Sequence, residues 1–180
     1  MSCVVRRAAA VVFALAWLAG SAVEAAPASP RIVVDKSART LQLSLGERIE
    51  ASYRVGLGLD PVSRKRKEGD RATPEGNYFV CARQPHSAFF VALVISYPNA
   101  EDAAIALRER RIDRRQYRRI VAASAAGRCP PFDTPLGGWV EIHGSGSASD
   151  WTWGCIALDN PDMRAVFDRV PVGTPVLIQP

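Results

Sequence analysis

Histidine is scarce in this chain: His86 and His143 are the two among 180 residues. Together with four cysteines, none at ligand-like spacing, they offer no zinc-type cluster, so no metal centre is expected. Long apolar runs are missing as well. Ala8–Gly20 is uninterrupted but has thirteen residues, short of the ~18–20 that a membrane-spanning helix needs. No internal repeat is visible, which sets aside solenoids and propellers. Charge is mixed, with a net +5. The basic excess gathers in Arg64–Lys67 and between Arg108 and Arg119, and reads as a solvated face rather than a nucleic-acid surface.

What is present begins with a three-part leader. Met1–Arg7 carries Arg6 and Arg7, Ala8–Gly20 is the apolar stretch, and Ser21–Ala25 ends in small residues suited to cleavage after Ala25. Residues 1–25 are therefore expected to direct export to the periplasm or cell envelope. A linker at 26–30 and one domain at 31–180 follow. Cys3 leaves with the leader, and Cys81, Cys129 and Cys155 remain, an odd number in an oxidising compartment. Counting allows two arrangements: a Cys81–Cys129 disulfide with Cys155 free, or buried free thiols.

Strand patterns start at once. Arg31–Asp35 is rich in β-branched residues, Lys36–Arg39 has turn chemistry, and Thr40–Leu45 alternates polar and apolar side chains. A further strand is expected over Ile49–Gly56, then a charged loop over Leu59–Pro74 with a turn at Thr73–Gly76. Strands follow at Asn77–Ala82 and Phe89–Ser96. Ala100–Ala126 is the one long helical pattern; Asn99 caps it, and Asp113 can cap a second helix after a break. Gly138–His143 and Val172–Gln179 read as strands, and Asn160–Val170 as a short helix. The fold class is mostly β, with a helical insertion and a short C-terminal helix.

Chemistry concentrates near the end. His143 closes the apolar stretch Val140–His143, and Cys155 lies twelve positions later, across the small polar segment Ser145–Asp150. A thiol becomes an effective nucleophile as thiolate, and a nearby imidazole is the usual means. Gly154 leaves backbone N–H groups free to turn toward a substrate oxygen.

Ile142-His143-Gly144 followed by Thr152-Trp153-Gly154-Cys155-Ile156-Ala157-Leu158 resembles the active-site signature of L,D-transpeptidases of the YkuD-type fold. Gly69–Tyr78, with its Thr73-Pro74-Glu75-Gly76, is similar to the family's Thr-Pro-x-Gly strand entry, Ala92–Asn99 to the murein-active YafK-like branch, and Pro130–Gly138 to the approach to the histidine strand. The resemblance covers nearly all of residues 31–180 and implies a β-sandwich or barrel. One position departs: many members carry histidine where this chain has Trp153.

The resemblance implies that Cys155 attacks a carbonyl in the tetrapeptide stem of peptidoglycan, with His143 as base and no cofactor. It implies that Gly154 and Cys155 N–H groups hold the oxyanion, that the Gly144 carbonyl orients His143, and that Thr152 holds the loop or meets substrate. Trp151 and Trp153 either line the groove or pack, and Ser96 and Tyr97 face the same groove. His86 is assigned to the surface or the substrate rather than to catalysis. Asp150 either pairs with a basic group or ends the loop, and the basic helix is either a lid or a solvated face. The acyl group passes to an amine, to water, or to a wall-linked protein or peptide. A monomer is expected. The competing readings are an amidase of the same Cys–His chemistry and a non-catalytic wall-binding module.

Overall fold

The computed structural model describes residues 28–180, so the leader assigned to 1–25 and the first two residues of the linker lie outside it. β1 (Pro30–Asp35), β2 (Thr40–Leu45) and β3 (Arg48–Arg54) form an antiparallel meander, as the turn chemistry and alternation predict. β1 starts at Pro30, so the linker is shorter than expected. β4 (Gly76–Ser87) and β5 (Phe90–Ile95) make a long hairpin. The expected strand end at Ala82 is corrected here: β4 runs on through Pro85 and His86, with its pairing register shifting between Gln84 and Ser87. A proline is tolerated where a bulge relaxes the ladder.

The helical insertion is two helices, α1 (Ala100–Arg108) and α2 (Arg114–Ala125). Asn99 and Asp113 each close a full capping box, with Asp102 and Gln116 reaching back to the cap N–H. Each such cap contributes about 1 kcal/mol. Ala103, Ala106, Ile112, Ile120 and Leu136 form a small core of their own beneath this pair. β6 (Glu141–His143) is shorter than the expected strand from Gly138, because Trp139 takes a left-handed backbone conformation and breaks it. β7 (Ile156–Ala157), α3 (Asn160–Arg169) and β8 (Pro175–Gln179) complete the chain.

Eight strands of the described residues run in the order β3-β2-β1-β8-β4-β5-β6-β7. The two ends of this order meet. Gly56, just after β3, exchanges two backbone hydrogen bonds with Ala157 of β7, at 2.9 and 2.8 Å. The sheet therefore curls nearly closed. Its inner residues, among them Ile32, Leu41, Val80, Leu93, Ile142 and Ile156, join Met163 and Val166 of α3 in one core. Each fully buried aliphatic side chain contributes about 1.5–3 kcal/mol. This mostly β architecture with three helices is the one expected.

The charged segment 59–75 is no loose loop. The buried Lys36 ammonium donates to Glu75 at 2.5 Å and to the carbonyls of Val62 and Ser63. Asp70 accepts from the backbone N–H groups of Arg66 and Lys67, and Arg64 pairs with Asp102 of α1. The insertion is thereby tied to this segment by ion pairs. Cys81 and Cys129 form a disulfide across 48 positions, anchoring the segment after α2 to β4, while Cys155 is free.

Candidate active site

β6 and β7 are parallel, with Ile142 opposite Ile156 and His143 opposite Ala157. Side chains alternate along a strand, so His143 and Cys155 stand on the same face as a diagonal pair. Glu141 shares that face, and its N–H donates to Cys155 Sγ at 3.4 Å. Ala92 of β5 is opposite His143. Ile142 and Ile156 point the other way, into the core. The hydrophobic positions thus determine which face carries the chemistry.

His143 is held firmly. Its Nδ1–H donates to the Gly144 carbonyl at 2.6 Å, which leaves Nε2 as the acceptor. Phe89 stacks on the ring at 4.6 Å and Trp151 meets it edge-on at 5.6 Å. Burial under these rings pushes the imidazole below its ordinary 6.5, against the Gly144 hydrogen bond that raises it. The neutral, proton-accepting form is favoured.

Cys155 is half-buried. Its thiol interacts with the Trp139 carbonyl at 3.7 Å and accepts from Glu141 N–H; among the described residues no hydrogen bond joins it to His143. Burial pushes the thiol up to about 11, with the Glu141 carboxylate adding to the rise while the Glu141 N–H and the Lys65 ammonium oppose it. Burial also raises Glu141 itself, which Gln84 contacts at 3.4 Å.

The segment between the two residues is pinned rather than flexible. Asn160 and Asp159 accept from the N–H groups of Ser145 and Ser147. Asp150 accepts from Leu57 N–H at 2.9 Å and takes a forked ion pair from Arg39. Thr152 donates to the Cys155 carbonyl at 2.8 Å and accepts from Gly154 N–H at 3.1 Å. Gly154 has φ +122°, and a Cβ there would stand 2.6 Å from the Ala72 carbonyl oxygen. Only glycine fits such a backbone.

The two expected oxyanion donors differ in their hydrogen bonding. The Gly154 N–H is already bound to Thr152, so it is unavailable in this geometry, whereas the Cys155 N–H finds no acceptor among the described residues. Ser96 and Tyr97 do not face the groove. Ser96 is buried with its hydroxyl accepting from Phe79 N–H, and Tyr97 is fully buried, its hydroxyl donating to Leu136 O. Both lie where the β5 end enters the core. Trp151 packs beside His143, with its indole N–H on the Gly146 carbonyl. Trp153 is 67% exposed and carries Arg71 against its ring at 5.0 Å.

The thiol opens into a cavity of about 170 Å³, whose lining includes Lys65, Glu68, Trp139, Trp153 and Gly154. Trp139 separates it from a second hollow, lined by Gln84, His86 and Phe132. Sequence reasoning missed Phe89, Glu141 and Lys65. Glu141 was discoverable, since it sits two residues before His143 on the same strand face. Lys65 carries no signal within a run of four cations. Among the described residues no His, Cys, Asp and Glu cluster could hold a metal ion.

A free thiol and a tautomer-fixed imidazole on one face of a curled sheet are the parts of a nucleophile–base site. The sequence model of the L,D-transpeptidase catalytic domain (YkuD) matches residues 29–178, and the chain belongs to that family. No curated protein matches it. Among solved structures it is similar to the helical cell shape determining protein Pgp2 of Campylobacter jejuni, at 22% identity and TM-score 0.58, over 85% of this chain and 48% of that one. Bd1075 of Bdellovibrio bacteriovorus gives 23% identity and TM-score 0.54, over 85% and 48%. An L,D-transpeptidase of Xylanimonas cellulosilytica gives 15% and 0.52, over 87% and 63%. These likenesses support the fold. The chain spans about half the length of the first two proteins.

Proposed function

We propose that this protein is an exported peptidoglycan L,D-transpeptidase or L,D-carboxypeptidase that works through a Cys155 thioester. The supporting observation is the family match together with Cys155 and His143 on one face of the β6–β7 pair. In this reading Sγ attacks the carbonyl of the diamino-acid residue in a tetrapeptide stem. The thiol proton passes to His143 Nε2, the C–N bond breaks, and the departing D-alanine amine takes that proton. An incoming amine or water then gives a proton back to His143, attacks the thioester and frees the thiol. The Gly144 carbonyl keeps His143 in the required tautomer through the whole cycle. The leader at residues 1–25 brings the enzyme to its polymer in the cell envelope. The acceptor is a second stem peptide, water, or a wall-linked protein or peptide.

Purified protein incubated with tetrapeptide-bearing muropeptides, beside Cys155→Ala, tests the reading. Wild type is expected to release D-alanine and to give a mass shift on Cys155, both lost in the variant. Product masses separate cross-linked dimer from tripeptide. Wild type giving no release, no dimer and no amide cleavage would leave the wall-binding module as the better account.

A further inference from the structure

The Gly154 N–H, which a glycine before the nucleophile ordinarily offers to substrate, is spent on Thr152 Oγ1. A tetrahedral intermediate at Cys155 concentrates a full negative charge on one oxygen, and a single N–H is a poor match for it. Lys65 stands beside Gly154. It is 6% exposed, far below what is usual for lysine, and lines the same cavity as Cys155. Its Nζ lies 3.5 Å from the point where a Gly154 Cβ would stand. Two of its three protons are engaged, by Asp70 Oδ1 at 2.8 Å and by the Lys67 carbonyl at 3.2 Å. The third has no nitrogen or oxygen acceptor among the described residues, and the ammonium lies 5.8 Å from the centre of the Tyr97 ring. A lysine is a compact charge with rotatable donors, and Asp70 fixes where it sits.

We propose that Lys65 is a catalytic residue that completes the oxyanion site with the Cys155 N–H, donating its third proton to the carbonyl oxygen that becomes negative during acylation. This rests on the acyl-transfer reading of Cys155. The step is a hydrogen bond that strengthens as charge develops; Lys65 keeps its proton throughout, and His143 carries the proton that is transferred. The Lys65 ammonium also lies close enough to favour the thiolate, so the test must separate the two effects.

Iodoacetamide alkylation provides that separation, because displacement at its saturated carbon builds no oxyanion. Two rates are measured for wild type and Lys65→Met: single-turnover acylation by a tetrapeptide muropeptide at saturating concentration, and alkylation of Cys155 at the same pH. Acylation is expected to fall about 10²–10³-fold, as for other lost oxyanion donors. Alkylation is expected to fall less than about tenfold, and Lys65→Arg should recover much of the acylation. A parallel fall in both rates would assign Lys65 to the thiol and overturn the proposal. So would unchanged acylation, or a loss confined to KM that disappears when the stem's C-terminal carboxylate is amidated. Lys65→Met leaves Asp70 without its cation, so Lys65→Met/Asp70→Asn is measured alongside, and the same acylation loss is expected of that pair. A wild-type protein that never acylates refutes the transpeptidase reading itself; an active wild type with an equally active Lys65→Met refutes this inference alone.

Discussion

A thiol pushed up to about 11 beside an imidazole pushed down should be neutral in the resting protein. The ordinary value for the group is 9.0. Each unit of pKa is tenfold in thiolate, so near pH 8 Cys155 should hold about 100-fold less thiolate than an exposed cysteine. Alkylation by iodoacetamide reads this directly, since Cys81 and Cys129 are joined and Cys155 is the free thiol among the described residues. The rate constant, followed by mass spectrometry, should climb about tenfold per pH unit from pH 7 to 10 without a plateau. Burial is the largest cause, and the Glu141 charge adds to it. Glu141→Gln removes the charge and keeps the backbone N–H that Sγ accepts from, so alkylation near pH 8 should become faster. A plateau below pH 8 would mean a standing thiolate–imidazolium pair, and the reasoning from burial would be wrong. On the proposed acyl-transfer reading, a neutral resting thiol is activated in the substrate complex, with the proton moving to His143 as the carbonyl arrives.

Three further outcomes follow from the same geometry. Because burial lowers His143 below 6.5, the base stays neutral under mildly acid conditions, and the acid limb of kcat/KM for D-alanine release should fall below pH 6.5; a limb above 7 would contradict it. Gly154→Ala places a methyl group against the Ala72 carbonyl at a backbone angle of +122°, so D-alanine release should be lost and urea unfolding should show about 1–3 kcal/mol of destabilisation. Reducing the Cys81–Cys129 bond, which closes 48 positions, should cost up to roughly 4 kcal/mol by chain entropy; an unchanged denaturation midpoint would show that the bond does not constrain the unfolded chain.

Local signals carried the meander well. Thr40–Leu45 alternates cleanly, and the structure buries Leu41 and Leu43 while leaving Gln42 and Ser44 half-covered. Asp113 was legible as a cap because an acidic side chain three residues before Gln116 has few other uses at a helix start. Gln84-Pro85-His86 read as a connection because proline and polar residues punctuate loops, yet the hairpin tolerates them at a bulge. β7 was invisible: two residues carry no periodicity, and they are a strand only because β6 and Gly56 lie on either side of them. The burial of Ser96 and Tyr97, expected in the groove, depends on how the β5 end meets the insertion, which no local pattern encodes.

The sequence by itself singled out Cys155 and His143 as the candidate pair and determined the mostly β character of the chain. Those depend on residue identity, on strand and helix periodicity, and on a motif whose spacing carries the family's chemistry. Only the tertiary structure decided what surrounds the thiol. Phe89 comes from the β4–β5 hairpin, Lys65 from the segment tied down by Asp70, and Trp139 from the stretch after the disulfide. They converge because the sheet curls until Gly56 meets Ala157. The protonation states of Cys155 and His143 come from that convergence, since desolvation is a property of everything packed around a group.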